Sequence, residues 1–440
     1  MLNPVCGGAR AVARCDELGR PPFSDTADGL FRGYLTSAHA ACVEQVGAWM
    51  VEAGMDVRLD AAANLIGRYE GAEPGAPALL VGSHLDSVRD AGRYDGPLGV
   101  MLGIECVAAL HAAGKRMPFA IEVIGFGDEE GSRFPAAMLT SRAMAGVLEP
   151  AALAIADAEG VSVGDALAAF LPGVRAGRSR GTGEVGTTAS ASQAANAVLA
   201  ARRAASSAIA YLEAHIEQGP VLEAAGRALG TVTGIAAQRR YAVTVSGEAG
   251  HAGTTAMPLR RDALAAAAEM VLAAEAHARE AACDLVATVG RLEAAPGAAN
   301  VIPGRVAFTL DVRAGTDARR DAAADAILAY FGRIAERRGV ALACALVHEL
   351  PASPCDPHLV DLIDAAVAGG GQPPFRLVSG AGHDAMVMAA LCPTAMLFIR
   401  CRGGISHNPA EHVEAADAEA ALAAMLRFID TVGDDALAAA

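Results

Sequence analysis

Aromatic residues are scarce: Phe, Tyr and Trp make up 4% of the 440 residues, with a single Trp. A core built from this chain must therefore close through Ala and Gly at helix contacts, and the 53% hydrophobic content is enough to form one. Positive charge is also short. Thirty-five Lys and Arg face fifty Asp and Glu, a formal net charge of −15. That balance excludes nucleic acid and anionic membrane as partners, and an anionic substrate would need a local positive cluster. The nine Cys are scattered and form no C-x-x-C pair, which excludes a Cys-based zinc site and fits reduced thiols in a cytoplasmic protein. No apolar run approaches membrane-spanning length; the Ala-rich stretch after Asp262 is broken by Glu269, Glu275 and His277. The first six residues lack a basic stretch followed by an apolar one, so no signal peptide is expected. A chain this long is expected to hold two domains.

Four apolar runs are present, at 78–82, 120–126, 209–214 and 394–399, and they read as buried parallel strands. Helical segments at 98–113 and 415–429 lie between or after them, which predicts an α/β sheet with helices on both faces. Residues 234–348 differ. An alternating run at 241–245, an Ala-rich helix after Asp262, strands at 284–292 and 305–313 and a helix over about 317–338 predict an inserted α+β domain. The stretch 173–207, rich in Gly, Ser, Thr, Ala and Arg, reads as a mobile surface loop.

Polar clusters follow the apolar runs, where an open α/β sheet collects its ligands. They are Gly82-Ser83-His84-Leu85-Asp86, Tyr94-Asp95-Gly96, Asp128-Glu129-Glu130-Gly131, Glu213-Ala214-His215-Ile216-Glu217-Gln218 and Ser406-His407-Asn408. Taken singly, a His near a strand end usually caps or hydrogen-bonds, and a Glu pair is usually a solvated turn. Together, imidazoles and carboxylates at strand exits between glycines suit Zn, Mn or Co. The two-residue spacing of His84 and Asp86 lets the carboxylate reach back and orient the ring.

In content and order these clusters resemble the amidase (hydantoinase/carbamoylase) branch of the M20 metallopeptidase clan, from about residue 30 to 429 outside 173–207. The branch includes allantoate amidohydrolases, N-carbamoyl-L-amino-acid hydrolases and a class of β-ureidopropionases. Segments 88–95, 243–251 and 392–407 look most like the first of these. The resemblance implies an M20-type catalytic domain over 1–233 and 349–440, and an inserted α+β lid and dimerisation domain over 234–348. It implies two divalent ions per subunit, Mn2+, Zn2+ or Co2+. Asp95 would bridge them, His84 and His215 completing one site, Glu130 and His407 the other, with Glu129 as general base. A peptidase of the clan would be expected to carry a carboxylate at position 215. A catalytically dead scaffold would be expected to have lost some of these residues.

Within 234–348 the same resemblance assigns His251, Asn300 and Arg313 to the substrate carboxylate and the developing oxyanion, His251 being commonly supplied by the partner subunit. Gln218, Gly380 and Ala381 are expected to line the pocket, and His383 is as readily structural. The implied activity is hydrolysis of a ureido C–N bond of allantoate, giving ureidoglycine, ammonia and carbon dioxide. N-carbamoyl-L-amino-acid or β-ureidopropionate hydrolysis is the alternative. The expected partners are a small anionic ureido substrate and a second copy of the chain, joined through the inserted domain. Hinges near 233 and 349 would let the domains close. Asp128 before the Glu pair and the long 173–207 segment depart from the branch's usual pattern.

Overall fold

The four apolar runs form adjacent parallel strands, in the order Ala120–Phe126, Ala78–His84, Ala208–Ile216 and Thr394–Ile399. The computed structural model describes residues 7–174, 191–281 and 284–438. These strands are buried almost end to end, as a parallel sheet must be when both of its faces are covered. Helix Pro97–Ala112 packs on three of them and against helices Gly8–Leu18 and Ala415–Ala438. The short helix Asp384–Met388 packs on Ala208–Ile216 and Thr394–Ile399. The main core joins Val81, Leu102, Val123, Leu212, Leu397 and Phe428.

The sheet is mixed rather than purely parallel. Leu65–Tyr69 adds antiparallel to Ala120–Phe126, Asp56–Leu59 adds beyond it, and Leu229–Ile235 runs antiparallel to Thr394–Ile399. The sequence reading does not find these three. Two are short, and Gly230 and Gly234 interrupt the third.

The chain divides into two compact units within the strand Leu229–Ile235. The second unit comprises Gly234–Pro354 and Val378–Gly382, and the first comprises the remainder. In the second unit Arg305–Ala314 pairs with Ala237–Ser246 on one side and with Val286–Thr288 and Leu292–Ala295 on the other. Ala341–Leu350 adds to the outer edge of Ala237–Ser246. Arg305–Ala314 alternates between buried and half-buried residues, since only one face is covered. The covering helices are Ala263–Glu280, capped by Asp262, and Asp317–Arg338, capped by Thr316. Between sheet and helices lie Val243, Val306, Phe308, Leu310, Met270, Ile327 and Phe331.

Three expectations need correction. The strand expected at 284–292 is two short strands broken around Gly290. The edge strand Ala341–Leu350 was missed because nearly all its residues are exposed or half-exposed, leaving no period to read. It carries the second unit on to Pro354, with residues 378–382 returning to it, where the sequence reading ends the inserted domain at 348. Of the supposed surface loop, Ala191–Ala200 is helical, as an Ala-rich run favours, and 175–190 lie outside the described residues.

Candidate metal centre

His84 is the last residue of its strand, and His215 lies one residue from the end of the neighbouring strand, so the sheet sets both rings side by side. Asp95 comes from the turn before helix Pro97–Ala112, and that turn needs Gly96. Its φ is +81°, and a Cβ there would sit 2.5 Å from the His84 ring. Glu129 and Glu130 follow the strand Ala120–Phe126, and His407 follows a 3-10 turn beyond Thr394–Ile399. Gln218 and His407 both hold positive φ, 57° and 54°, a strain that side chains accept when their surroundings fix them.

Asp95 is the meeting point. Its Oδ1 lies 3.1 Å from His215 Nε2 and 3.4 Å from His84 Nε2. Its Oδ2 lies 3.3 Å from His407 Nε2, which is in turn 3.4 Å from Glu130 Oε1. His84, Asp95 and His215 thus make one group of ligand atoms and Asp95, Glu130 and His407 another, each within 4.8 Å. Ligands about 2.0–2.1 Å from a tetrahedral ion stand roughly 3.3 Å apart, so these separations fit bound cations. A further observation agrees: Asp95 Oδ1 is buried and receives no donor in hydrogen-bond geometry. The ring orientations also fit. His215 Nδ1 is 2.9 Å from the Ile216 carbonyl and His84 Nδ1 is 3.1 Å from the Asp86 carbonyl. A carbonyl can only accept, so Nδ1 keeps the proton and Nε2 of the neutral ring is free for a metal.

Asp86 faces the His84 ring and also holds the Glu129–Glu130 turn. Its carboxylate is 3.4 Å from His84 Nδ1, farther than its own carbonyl, and it accepts the backbone N–H of Glu129 at 3.0 Å and of Glu130 at 3.2 Å. The electrostatics show a centre short of positive charge. Burial opposes protonation of His84, but Asp86 and Asp95 outweigh it and raise its pKa well above normal. His407, beside Asp95 and Glu130, is raised to about 10. Burial pushes the Glu129 carboxyl well up, as do Glu130, Asp384 and Asp86, while His84 works in the opposite sense.

Gln218 is drawn into the centre rather than standing clear of it. Its Nε2 donates to Asp95 Oδ2 at 2.8 Å, and Ser406 Oγ donates to the same oxygen at 2.7 Å. Two residues that sequence reasoning missed support the cluster. Glu411 Oε1 accepts the N–H of Tyr94 at 2.7 Å and of Asp95 at 3.1 Å, fixing the turn that carries Asp95. Gly92 leaves it room, since a Cβ there would be 2.1 Å from the Glu411 carboxyl carbon. Glu213 takes Ser83 Oγ and the Ala385 N–H, and with His215 and His383 forms a third, wholly buried group. His383 stacks edge-on against His215, with ring centroids 4.4 Å apart. Glu213 lies inside its apolar run, where a buried carboxylate is itself a signal.

The second unit brings its own candidates into two pairs. Gly250–His251 pairs with Val301–Ile302, and the Ala252 N–H reaches the Asn300 carbonyl, so His251 and Asn300 share one ribbon. His251 Nδ1 accepts the Gly253 N–H at 3.0 Å, which leaves its exposed Nε2 to carry the proton. Arg313 donates to the Gly380 carbonyl, placing that loop beside it, while Ala381 donates its N–H to Ser379 Oγ.

A hydrolase is the class that this sheet and these ligand groups define. The profile of peptidase family M20/M25/M40 matches residues 80–431. The chain is 40% identical over 463 aligned residues to a probable allantoate deiminase of Oryza sativa subsp. japonica, covering 97% of this chain and 89% of that one. It is 42% identical over 397 residues to an N-carbamoyl-L-amino acid amidohydrolase of Geobacillus stearothermophilus, covering 90% of each. The crystal structure of a hydantoinase/carbamoylase family amidase from Burkholderia ambifaria superposes with a TM-score of 0.84 at 37% identity, covering 97% of both chains. The chain belongs to peptidase family M20/M25/M40, as a metal-dependent amidohydrolase.

Proposed function

We propose that the chain hydrolyses a ureido C–N bond of allantoate, giving ureidoglycine, ammonia and carbon dioxide. The observation that carries the hydrolytic reading is the pair of donor groups meeting at Asp95 with Glu129 beside them. Two divalent ions are the proposed occupants, one among His84, His215 and Asp95 and one among Asp95, Glu130 and His407. A set of nitrogen and oxygen ligands suits Mn2+, Zn2+ or Co2+. When bound, such ions polarise the scissile carbonyl and make the attacking water more acidic.

The side chains supply the remaining steps. Glu129 accepts the water's proton and passes it to the leaving nitrogen, a task for a carboxyl whose pKa burial pushes up. His251, with its proton on Nε2, donates to the developing oxyanion, and Asn300 adds a second donor. Arg313 binds the carboxylate, whose planar geometry its fork matches. Gln218, Gly380 and Ala381 orient the rest of the substrate.

The choice of allantoate rests on segments 88–95, 243–251 and 392–407 and on the rice relative, which aligns with nearly the whole chain. The Geobacillus relative favours a second reading, N-carbamoyl-L-amino acid hydrolysis. Allantoate carries a second ureido group where an N-carbamoyl amino acid carries a side chain. Polar groups that an apolar side chain leaves unpaired cost about 1–3 kcal/mol each, and two of them give at least roughly a hundredfold discrimination. Ammonia release with Mn2+ present, from allantoate and from N-carbamoyl amino acids, decides between the readings. Allantoate should lead by at least roughly a hundredfold in kcat/KM, and parity for an apolar N-carbamoyl amino acid would select the carbamoylase.

The reading includes a cytoplasmic homodimer. Seven described cysteines are free and six of them buried, which suits a reducing compartment. No helix among the described residues is long and apolar enough to cross a membrane. The outer edge of Ala341–Leu350, with Leu346 and Val347 exposed, offers a surface for a second copy about a twofold axis. Mixing inactive His251→Ala and Glu129→Gln subunits should restore activity if His251 serves the partner's site. No recovery would place it in its own.

A further inference from the structure

Arg313 does not stand alone. Asp311, two residues before it on the same strand, accepts its Nε at 2.9 Å and its Nη2 at 3.3 Å, and the Gly380 carbonyl accepts its Nη1. A guanidinium has five N–H donors, so two remain for a ligand. The price is charge: an Arg313–Asp311 pair by itself is neutral and holds no field for an anion. The neighbouring strand restores it. Arg240 stands opposite Asp311 in register, and its Nε and Nη2 reach Asp311 Oδ2 at 3.1 and 2.8 Å. Gln238, opposite Arg313, donates to the same oxygen. All four side chains lie on the sheet face away from the two helices, and Asp311, Arg313 and Arg240 are 18%, 31% and 43% exposed. Burial tends to raise the Asp311 pKa, yet Arg313 and Arg240 draw it below the ordinary carboxylate value, so it stays ionised between them.

We infer that Arg240 is a positioning residue for anion recognition: it takes up the charge of Asp311, so that Arg313 is oriented by that carboxylate and still presents a net positive fork. The tray of two guanidinium groups on one carboxylate carries a charge of +1, in a protein of net charge −15, where an anionic substrate needs local attraction. Without Arg240, Asp311 would still orient the fork but would cancel its charge. The inference rests on the reading of Arg313 as the carboxylate ligand.

The test compares allantoate kinetics for Arg240→Met, Arg240→Lys and Arg313→Met in the metal-loaded enzyme. Arg240→Met should raise KM by about tenfold with kcat within about twofold, and should flatten the fall of kcat/KM with added salt. Arg240→Lys, which keeps the charge, should recover most of the KM. A structural role would instead lower the melting temperature, move kcat with KM, and leave the salt dependence unchanged. An unchanged KM in Arg240→Met beside a raised KM in Arg313→Met overturns the inference alone. An unchanged KM in Arg313→Met overturns the carboxylate reading and the inference with it.

Discussion

Asp95 and Asp311 are both carboxylates ringed by nitrogen donors, and they differ in what those donors can give up. Around Asp95, besides Gln218 and Ser406, stand three imidazoles, and His84 and His215 are almost fully buried. An imidazole can lose its proton, so a cation can take the proton's place between ring and carboxylate. Around Asp311 the donors are guanidinium groups, which keep their protons and stay partly in water. No cation can enter there, and the surplus charge is offered to an anion. On the proposed reading the same hub serves a metal site with one kind of partner and an anion site with the other.

The largest effects should come from breaking the first hub. Asp95→Ala should strip the protein of its metal and abolish turnover, since both ligand groups share that carboxylate, whereas Asp311→Asn should keep its full metal content. Elemental analysis of the two purified variants checks this, and equal loss from both would erase the contrast. Glu129→Gln should keep the metal and lose about 10²–10⁴ in kcat, the usual worth of a positioned proton acceptor. Near wild-type turnover in that variant would remove Glu129 from the mechanism.

Removing a support should cost less than removing a ligand. Glu411→Ala frees the Tyr94–Asp95 turn and should weaken metal binding by about 10- to 100-fold, measured by competition with a chelator. The same change should leave allantoate KM nearly unchanged once metal is saturating, because the second hub is untouched.

The smallest effect concerns a residue outside both hubs. His39 is fully buried, stacks on Phe170 and accepts the Leu35 N–H through Nδ1. Burial, with Arg32 and Arg133 nearby, lowers its pKa to about 3. The unfolded chain therefore takes up this proton first. Its contribution is full above pH 6.5 and falls as pH drops toward 3, by about 2 kcal/mol at pH 5. Chemical denaturation at pH 7.5 and 5 should show that difference shrinking in His39→Gln, and an equal slope in both proteins would exclude His39 as its source.

The first hub was far more legible in the sequence than the second. Most of its candidate ligands follow apolar runs with glycines beside them, and a parallel strand buried on both faces leaves such a run in any sequence. His84, Asp95, Glu130, His215 and His407 all stand within one cluster in the fold. Glu411 was hidden because its target is two backbone amides on a turn more than 300 residues away. Arg240 was hidden for a different reason. Only the register of two antiparallel strands shows that it faces Asp311, and register is not visible in either strand alone. The edge strand Ala341–Leu350 was lost because it is exposed along most of its length.

The central claim, that Asp95 joins two ion sites, is tested most directly by titrating metal-free protein with Mn2+ in a calorimeter. Two equivalents should bind per chain in the wild type, and both should be lost in Asp95→Ala. Saturation at one equivalent in the wild type, or one ion retained at full affinity in Asp95→Ala, would contradict it.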